Sequence, residues 1–376
     1  MSEGNELCIL LNSISDLFGI ASSNYYVSVY GLFFVMSIIF SFLINSLFLK
    51  FVRSLGMRNK DDTIIRWGSQ SKPAVGGFSF YIIFLLSIII YSFFFDNNQV
   101  FLSKQFIGIL LASMLGFLLG LADDAYNTRP FLKFSTQVTC AIILLVTGTT
   151  INLSYIQVIN YFLTIIWVVG IMNSLNMLDN MDAITTTVSL SIILSALAVM
   201  IFHNEYDTVY FMIMLGVMAA LLSFLYFNWH PSKMYMGDTG SQFLGVFLAA
   251  IGIRYLWNAS PPNGALISER NLLLPIIVFI MPIIDTTTVV INRIRSGKSP
   301  FIGGKDHTTH ALAYLGLTDR QVALVFWILT LVSLIIVMVM EKFISEWTRH
   351  YTLLFSGYIL SMFGIFFYAA RSVRNK

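Results

Sequence analysis

Apolar residues in this chain gather into runs of roughly 17 to 26, each long enough to cross a hydrocarbon core of about 30 Å, and polar residues collect between the runs. Eleven such runs can be read, at roughly 27–52, 77–95, 105–122, 134–150, 158–178, 184–203, 208–228, 242–258, 272–292, 321–340 and 351–370. A backbone in lipid must satisfy its own N–H and C=O groups, so each run predicts a helix. The chain as a whole is therefore expected to be an all-α polytopic membrane protein. The ninth run contains Pro275 and Pro282 and closes near Asp285, which predicts a bent or broken helix.

Residues 1–26 carry Glu3, Glu6 and Asp16 and no basic residue, so they lack the charged start of a signal peptide. Leu7, Leu10, Leu11, Ile14, Leu17 and Phe18 recur at helical spacing and predict an amphipathic segment on the outer interface. With no internal repeat or linker beyond it, 27–376 is expected to form one integral membrane domain with its catalytic site on the cytoplasmic face.

Composition excludes a soluble globule, because 57% of the residues are hydrophobic and only 11% are charged. A net charge of +3 is too small and too dispersed for a nucleic-acid partner. Its placement is more informative. Sixteen Lys and Arg fall in loops on one side of the predicted membrane and four on the other: Lys104, Arg270, Lys342 and Arg349. The positive-inside rule makes the sixteen-charge side cytoplasmic, with the N-terminus outside and the C-terminus inside.

Asp123, Asp124, Asp179, Asp182 and Asp238 all emerge on that cytoplasmic side, at the mouths of predicted spans, as do His307 and His310. Carboxylates so placed are costly and point to chemistry, and oxygen-rich clusters suit Mg²⁺ and the phosphates it accompanies. Asn173, Asn176 and Asp179 lie one helical turn apart and predict a polar ridge on one helix face. Gly237 and Gly240 around Asp238 permit a tight turn with backbone N–H groups close to an anion, just before a helix begins. Adjacent Asp123 and Asp124 point about 100° apart if helical. One is expected to face the reaction centre and the other a basic partner, the alternative being an interfacial pair neutralised by Arg129 or Lys133; the spacing leaves open which does which. His307 and His310 have no third soft ligand nearby, so zinc is not expected, and they fit better as polar or cationic groups near a diphosphate. A transporter is the rival class, but acids at one membrane face and the lack of inverted repeats speak against it.

The stretch from Asn228 to Gly245, Asn-Trp-His-Pro-Ser-Lys-Met-Tyr-Met-Gly-Asp-Thr-Gly-Ser-Gln-Phe-Leu-Gly, resembles the signature of the polyprenyl-phosphate N-acetylhexosamine-1-phosphate transferases. The resemblance extends to Lys72-Pro73-x-x-Gly76-Gly77, Asp123-Asp124, Asn173-x-x-Asn176-x-x-Asp179 and Asp306-His307-x-x-His310. Two positions depart from it: Asn180 and Ala183 stand where the family commonly has glycine, which asks more of the backbone there.

The resemblance implies an enzyme that moves a sugar 1-phosphate from a UDP-N-acetylhexosamine to undecaprenyl or another polyprenyl phosphate, with release of UMP. Such a step begins a cell-envelope polysaccharide in the bacterial inner membrane. It implies Mg²⁺, with Mn²⁺ as a substitute, held by Asp179 and Asp238. Catalytic roles are implied for Asp123, Asp124, Asp179, Asp238, His307 and His310. Substrate contacts are implied for Lys72, Lys133, Asn173, Asn176, Asp182, Asn228, Gly237 and Lys305. The histidine motif lacks the triple-histidine form of the muramoyl-pentapeptide branch, which favours a simple UDP-sugar such as UDP-GlcNAc. Related enzymes make a homodimer the assembly to test for.

Overall fold

The computed structural model describes residues 25–51, 72–95, 98–259, 268–299 and 304–374. The expected amphipathic segment lies almost wholly outside these residues, as does most of the basic loop after the first span. Helices joined by turns and loops make up the described residues, with one isolated bridge between Ala74 and Tyr235. We number the main helices α1 (Tyr25–Phe51), α2 (Gly76–Phe94), α3 (Lys104–Tyr126), α4 (Pro130–Val146), α5 (Gln157–Leu178), α6 (Ile184–Phe202), α7 (Val209–Asn228), α8 (Gly237–Gly252), α9 (Ser268–Val278), α10 (Ile280–Arg295), α11 (Thr308–Tyr314), α12 (Asp319–Phe343) and α13 (Arg349–Arg374).

Nine helices among the described residues are long and apolar enough to cross a membrane, and the pair α9–α10 makes a tenth if it counts as one bent span. The 17-residue α4 is a shorter apolar helix. Each of the eleven predicted runs thus coincides with a helix or a broken helix, and the protein is a multi-pass membrane protein. Local chemistry sets several helix starts. Ser103 caps α3 by accepting from the Phe106 N–H at 3.2 Å, and Thr318 with Gln321 forms a capping box at α12. Pro130 opens α4, where its missing N–H is no loss.

The expected break in the ninth run falls between α9 and α10, which meet at 81°. Pro282 explains the place. It cannot donate to the carbonyl of Val278, four residues back, and its ring crowds that carbonyl, so α9 ends at Val278.

At the two extremes of hydropathy in this bundle, burial runs the opposite way. α8, extended by a π-helical turn over Ile253–Trp257, is the least apolar of the candidate spans and the most deeply buried, packed against α3, α5 and α2. In contrast, α12 is the most apolar, yet much of its surface is left facing outward. The reason is physical: lipid rewards apolar surface, whereas a central helix can carry Thr239, Ser241 and Gln242 because neighbouring helices satisfy them. Gln137 of α4, for example, donates to Gln242 Oε1 at 3.2 Å and to Asn173 Oδ1 at 3.3 Å.

Two glycines allow the closest approaches to α8. A Cβ at Gly77 would overlap the Gly240 backbone, and a Cβ at Gly120 would overlap the backbone carbonyl of Asp238. The cores of α2 and α3 therefore touch the start of α8 directly.

The two departures from the resembled pattern are unequal. Asn180 has no positive φ, but Ala183 sits at φ 66° in the left-handed region, immediately before α6. An alanine held there carries strain of about 1–2 kcal/mol that glycine does not. Ala183→Gly is therefore expected to stabilise the protein by roughly 0.5–1 kcal/mol after glycine's greater unfolded-state entropy is deducted. Thermal unfolding in detergent checks this, and a lower Tm would contradict it.

Candidate active site

The predicted acids converge at one end of the bundle, where α3 ends, α5 ends and α8 begins. Asp123, on the last turn of α3, is buried with 1% exposure. Its Oδ1 accepts from the Thr128 N–H at 2.8 Å and the Thr128 hydroxyl at 2.9 Å, and its Oδ2 pairs with Lys133 of α4. It also lies within hydrogen-bonding range of Asp238. Asp124 points elsewhere, and its Oδ2 accepts from the Thr239 N–H at 2.8 Å and the Thr239 hydroxyl at 2.7 Å. It thereby satisfies one of the free N–H groups of the first turn of α8. The adjacent acids do divide their labour, but the basic partner and the facing carboxylate both belong to Asp123, while Asp124 holds a helix start.

Gly237 makes that start possible. It adopts φ 78°, and a Cβ there would press on Asp124 Oδ2 and the Ala74 carbonyl. The strand-like segment Lys72–Gly77 runs alongside 233–236, with Tyr235 N donating to the Pro73 carbonyl at 2.9 Å and Gly77 N to the Met236 carbonyl at 3.0 Å.

The amide ridge of α5 splits in function. Asn176 Nδ2 donates to Asp238 Oδ1 at 2.7 Å and to Ser241 Oγ at 2.9 Å, so it orients the acid. Asn173 donates across to Gln137 Oε1 of α4 at 2.7 Å and, within its own helix, to the Val169 carbonyl at 2.8 Å. Asp179 is the C-cap of α5, partly buried, three residues beyond Asn176.

Three predicted substrate contacts are engaged in holding loops. Asp182 accepts from Ser232 N–H at 3.0 Å and Ser232 Oγ at 2.7 Å, and it meets His230 Nδ1 at 3.0 Å and Lys72 at 3.7 Å. Lys72 also donates to Ser232 Oγ at 2.9 Å. Asn228 is 4% exposed. Its oxygen accepts from Ala183 N at 3.0 Å and Thr186 Oγ1 at 2.8 Å, and its nitrogen donates to the Met234 carbonyl at 3.1 Å. These bonds tie the Asp182 turn to the loop before α8.

The histidine segment is anchored by a residue that the sequence analysis treated only as a helix end. Asp285 of α10 is fully buried and meets His307 Nδ1 at 2.8 Å, and its Oδ1 accepts from Thr308 N–H at 2.8 Å and Thr308 Oγ1 at 2.6 Å. An acid inside an apolar run, three residues after Pro282, was the available signal. Next to it, Arg293 clasps Asp306 with two hydrogen bonds of 2.7 and 2.6 Å. Burial opposes ionisation of Asp306, but the Arg293 bonds and charge outweigh it and hold the carboxyl below its usual range. A cavity of about 250 Å³ opens here, lined by Arg293, Lys298, Lys305, His307 and Tyr314. Lys305 itself is exposed.

His310 stacks edge-on to His307 with ring centroids 5.3 Å apart. Burial, with the neighbouring His307 charge, pushes its imidazole down to about 4, while Asp285 and Asp306 act to raise it and Lys305 to lower it. His310 is thus neutral near pH 7. Because its folded pKa lies below the unfolded value of about 6.5, its contribution to stability is present above pH 6.5 and lost as pH falls towards 4. His310→Gln is expected to flatten the fall of Tm between pH 6.5 and 4 relative to wild type. Identical slopes would rule this out.

Among the described residues no three His, Cys, Asp or Glu side chains form a metal-binding group. Two carboxylates facing each other, Asp123 and Asp238, are nevertheless what Mg²⁺ uses when substrate phosphates and water complete its shell. Asp179 joins this end of the bundle through the helical ridge that carries Asn176.

An acid pair at the mouths of membrane spans, with a helix start packed against it and basic side chains nearby, has the chemistry that suits anionic ligands. Residues 106–256 match glycosyl transferase family 4. The chain matches through a stretch that takes in Asp123 and Asp238 and stops short of the histidine segment. It is 28% identical over 279 residues to a probable undecaprenyl-phosphate N-acetylglucosaminyl 1-phosphate transferase of Bacillus subtilis, covering 72% of this chain and 74% of its relative. A decaprenyl-phosphate N-acetylglucosaminephosphotransferase of Mycolicibacterium smegmatis is 27% identical, over 69% of each chain. A phospho-N-acetylmuramoyl-pentapeptide-transferase of Lactobacillus johnsonii is 28% identical, over 82% of this chain and 98% of its relative.

Proposed function

We propose that this protein transfers a sugar 1-phosphate from a UDP-N-acetylhexosamine, UDP-GlcNAc first among them, to a polyprenyl phosphate in a bacterial inner membrane. The observation that carries the proposal is the meeting of Asp123 with Asp238, buttressed by Asn176, Asp124 and Lys133 where three helices converge. An oxygen of the lipid phosphate attacks the β-phosphorus of the donor, the bond from that phosphorus to the α–β bridging oxygen breaks, and UMP leaves. Both substrates reach one membrane face, the lipid through its tail and the nucleotide from solution, so no covalent sugar-phosphate on an aspartate is required.

Asp238, with Asp123 or Asp179, would hold Mg²⁺, which supplies charge neutralisation between two approaching anions. Asp123 orients the lipid phosphate or accepts its last proton, a small demand because a phosphate monoester is already largely ionised near pH 7. Lys133 keeps Asp123 in place. His307, fixed by Asp285, and the cations Arg293 and Lys305 face the diphosphate end of the donor. The Lys and Arg bias supports a cytoplasmic position for this face. Cysteines placed at 298 and 346 should be labelled by an impermeant reagent from outside intact cells only at 346, and labelling at 298 alone would invert the arrangement.

The chain, purified with undecaprenyl phosphate and Mg²⁺, is expected to release UMP from UDP-GlcNAc. The long alignment with the muramoyl-pentapeptide transferase supports a second reading, so the assay includes UDP-muramoyl-pentapeptide. Turnover with that donor alone would replace the first reading by the second.

A further inference from the structure

The histidine segment and the acid cluster stand on different supports. α11 packs against α10, α12 and α13, not chiefly against the helices that carry the acids. Thr309 reaches across the gap. Thr309, fully buried between His307 and His310, donates its hydroxyl to Asn180 Oδ1 at 2.7 Å. Asn180 follows Asp179 directly, and its Nδ2 donates to the Met177 carbonyl at 2.9 Å, one of the carbonyls left open at the end of α5. That second bond fixes which end of the amide faces Thr309. Glycine, the residue usual here in the resembled pattern, can make neither bond, and the backbone at 180 does not call for glycine, since its φ is not positive.

We propose that Asn180 is a positioning residue, a brace between the Asp179 turn and the histidine segment that sets the spacing of the acid and histidine ends of the site. The neighbouring contacts fit this role. Thr308 and His307 are held by Asp285 on one side, so the Asn180–Thr309 bond completes the fixing of the segment from the other. The segment is therefore held from the broken span and also from the turn that carries Asp179. Loss of the second would leave the histidines in place relative to α10 but free to shift relative to the acids. Such a shift affects the geometry of reaction more than the affinity for either substrate.

The inference rests on the proposed transferase reading. The test uses the full chain in detergent with UDP-GlcNAc and undecaprenyl phosphate, comparing Asn180→Gly, Thr309→Val, the double variant and Thr309→Ser. Each of the first two is expected to lower kcat about tenfold with KM changed less than about twofold and Tm nearly unchanged. The double variant should be no worse than about tenfold, because both changes remove one bond. Thr309→Ser, which keeps the hydroxyl, should recover most of the loss. Wild-type kinetics in both single variants, or losses that multiply to about a hundredfold in the double, would overturn the brace. If the wild-type chain turns over no UDP-sugar, the transferase reading falls and the brace is judged by amide hydrogen exchange. Asn180→Gly should then speed exchange across 307–311, and unchanged exchange there rejects it.

Discussion

Asp238→Asn is expected to lower turnover by at least about a hundredfold while leaving the protein as stable as wild type or more so. The geometry separates the two effects. Asp238 Oδ1 accepts from Asn176 at 2.7 Å, and an asparagine can present its own oxygen to the same donor. Its amide nitrogen would then face Asp123, replacing the approach of two carboxylates with a hydrogen bond. Size and packing are conserved, so the fold has little reason to change. What disappears is the negative charge that, on the proposed reading, would draw a cation to the diphosphate. Sites that hold like charges together sacrifice stability for activity, and relieving the repulsion reverses that balance. UMP release and thermal unfolding, measured on the same preparation, check both halves. Near wild-type turnover at limiting Mg²⁺ would remove Asp238 from the metal site. Asp179→Asn is expected to lose most activity as well, because its charge joins the same end of the bundle.

Gly120→Ala should be nearly as damaging although it adds one methyl group and no charge. The new Cβ would overlap the Asp238 carbonyl and crowd Thr239, both backbone atoms that cannot swing aside. Either α3 or α8 must move. Asp123 lies three residues beyond Gly120 on the same helix face, so the shift separates Asp123 from Asp238. A displacement of about 1 Å at reacting groups can reduce rate about a hundredfold, and overpacking of a core typically costs about 1–3 kcal/mol. Gly31→Ala in α1 serves as the control, since a Cβ there meets nothing within 4 Å. Full activity in the Gly120 variant, or equal losses in both, would show that the α3–α8 approach does not set the site.

The span pattern was readable because each span must bury or expose a continuous apolar surface over a fixed thickness, a constraint that acts locally. The break in the ninth run was readable for a similar reason, as proline alters the hydrogen bonding of its own helix. The aspartates at helix mouths stood out through the cost of placing charge there. Their partners did not. That Asp123 rather than Asp124 meets both Lys133 and Asp238 depends on how α3, α4 and α8 are rotated against one another. Asn173 and Asn176 occupy equivalent places on one ridge, yet one contacts Gln137 and the other Asp238.

Asp285 shows the same division. Its position inside an apolar run marked it as unusual, but the pairing with His307 spans 22 residues and crosses between two elements. Hydropathy periodicity and residue chemistry therefore established a multi-pass helical protein and singled out the acids and histidines proposed to carry its chemistry, because these follow from interactions with lipid, water and the chain's own backbone. Which acids face each other, which amides orient them and which only hold loops came from the packing of α3, α5, α8 and α10. Those contacts join residues far apart in the chain, and no local pattern encodes the rotation of one helix against the next.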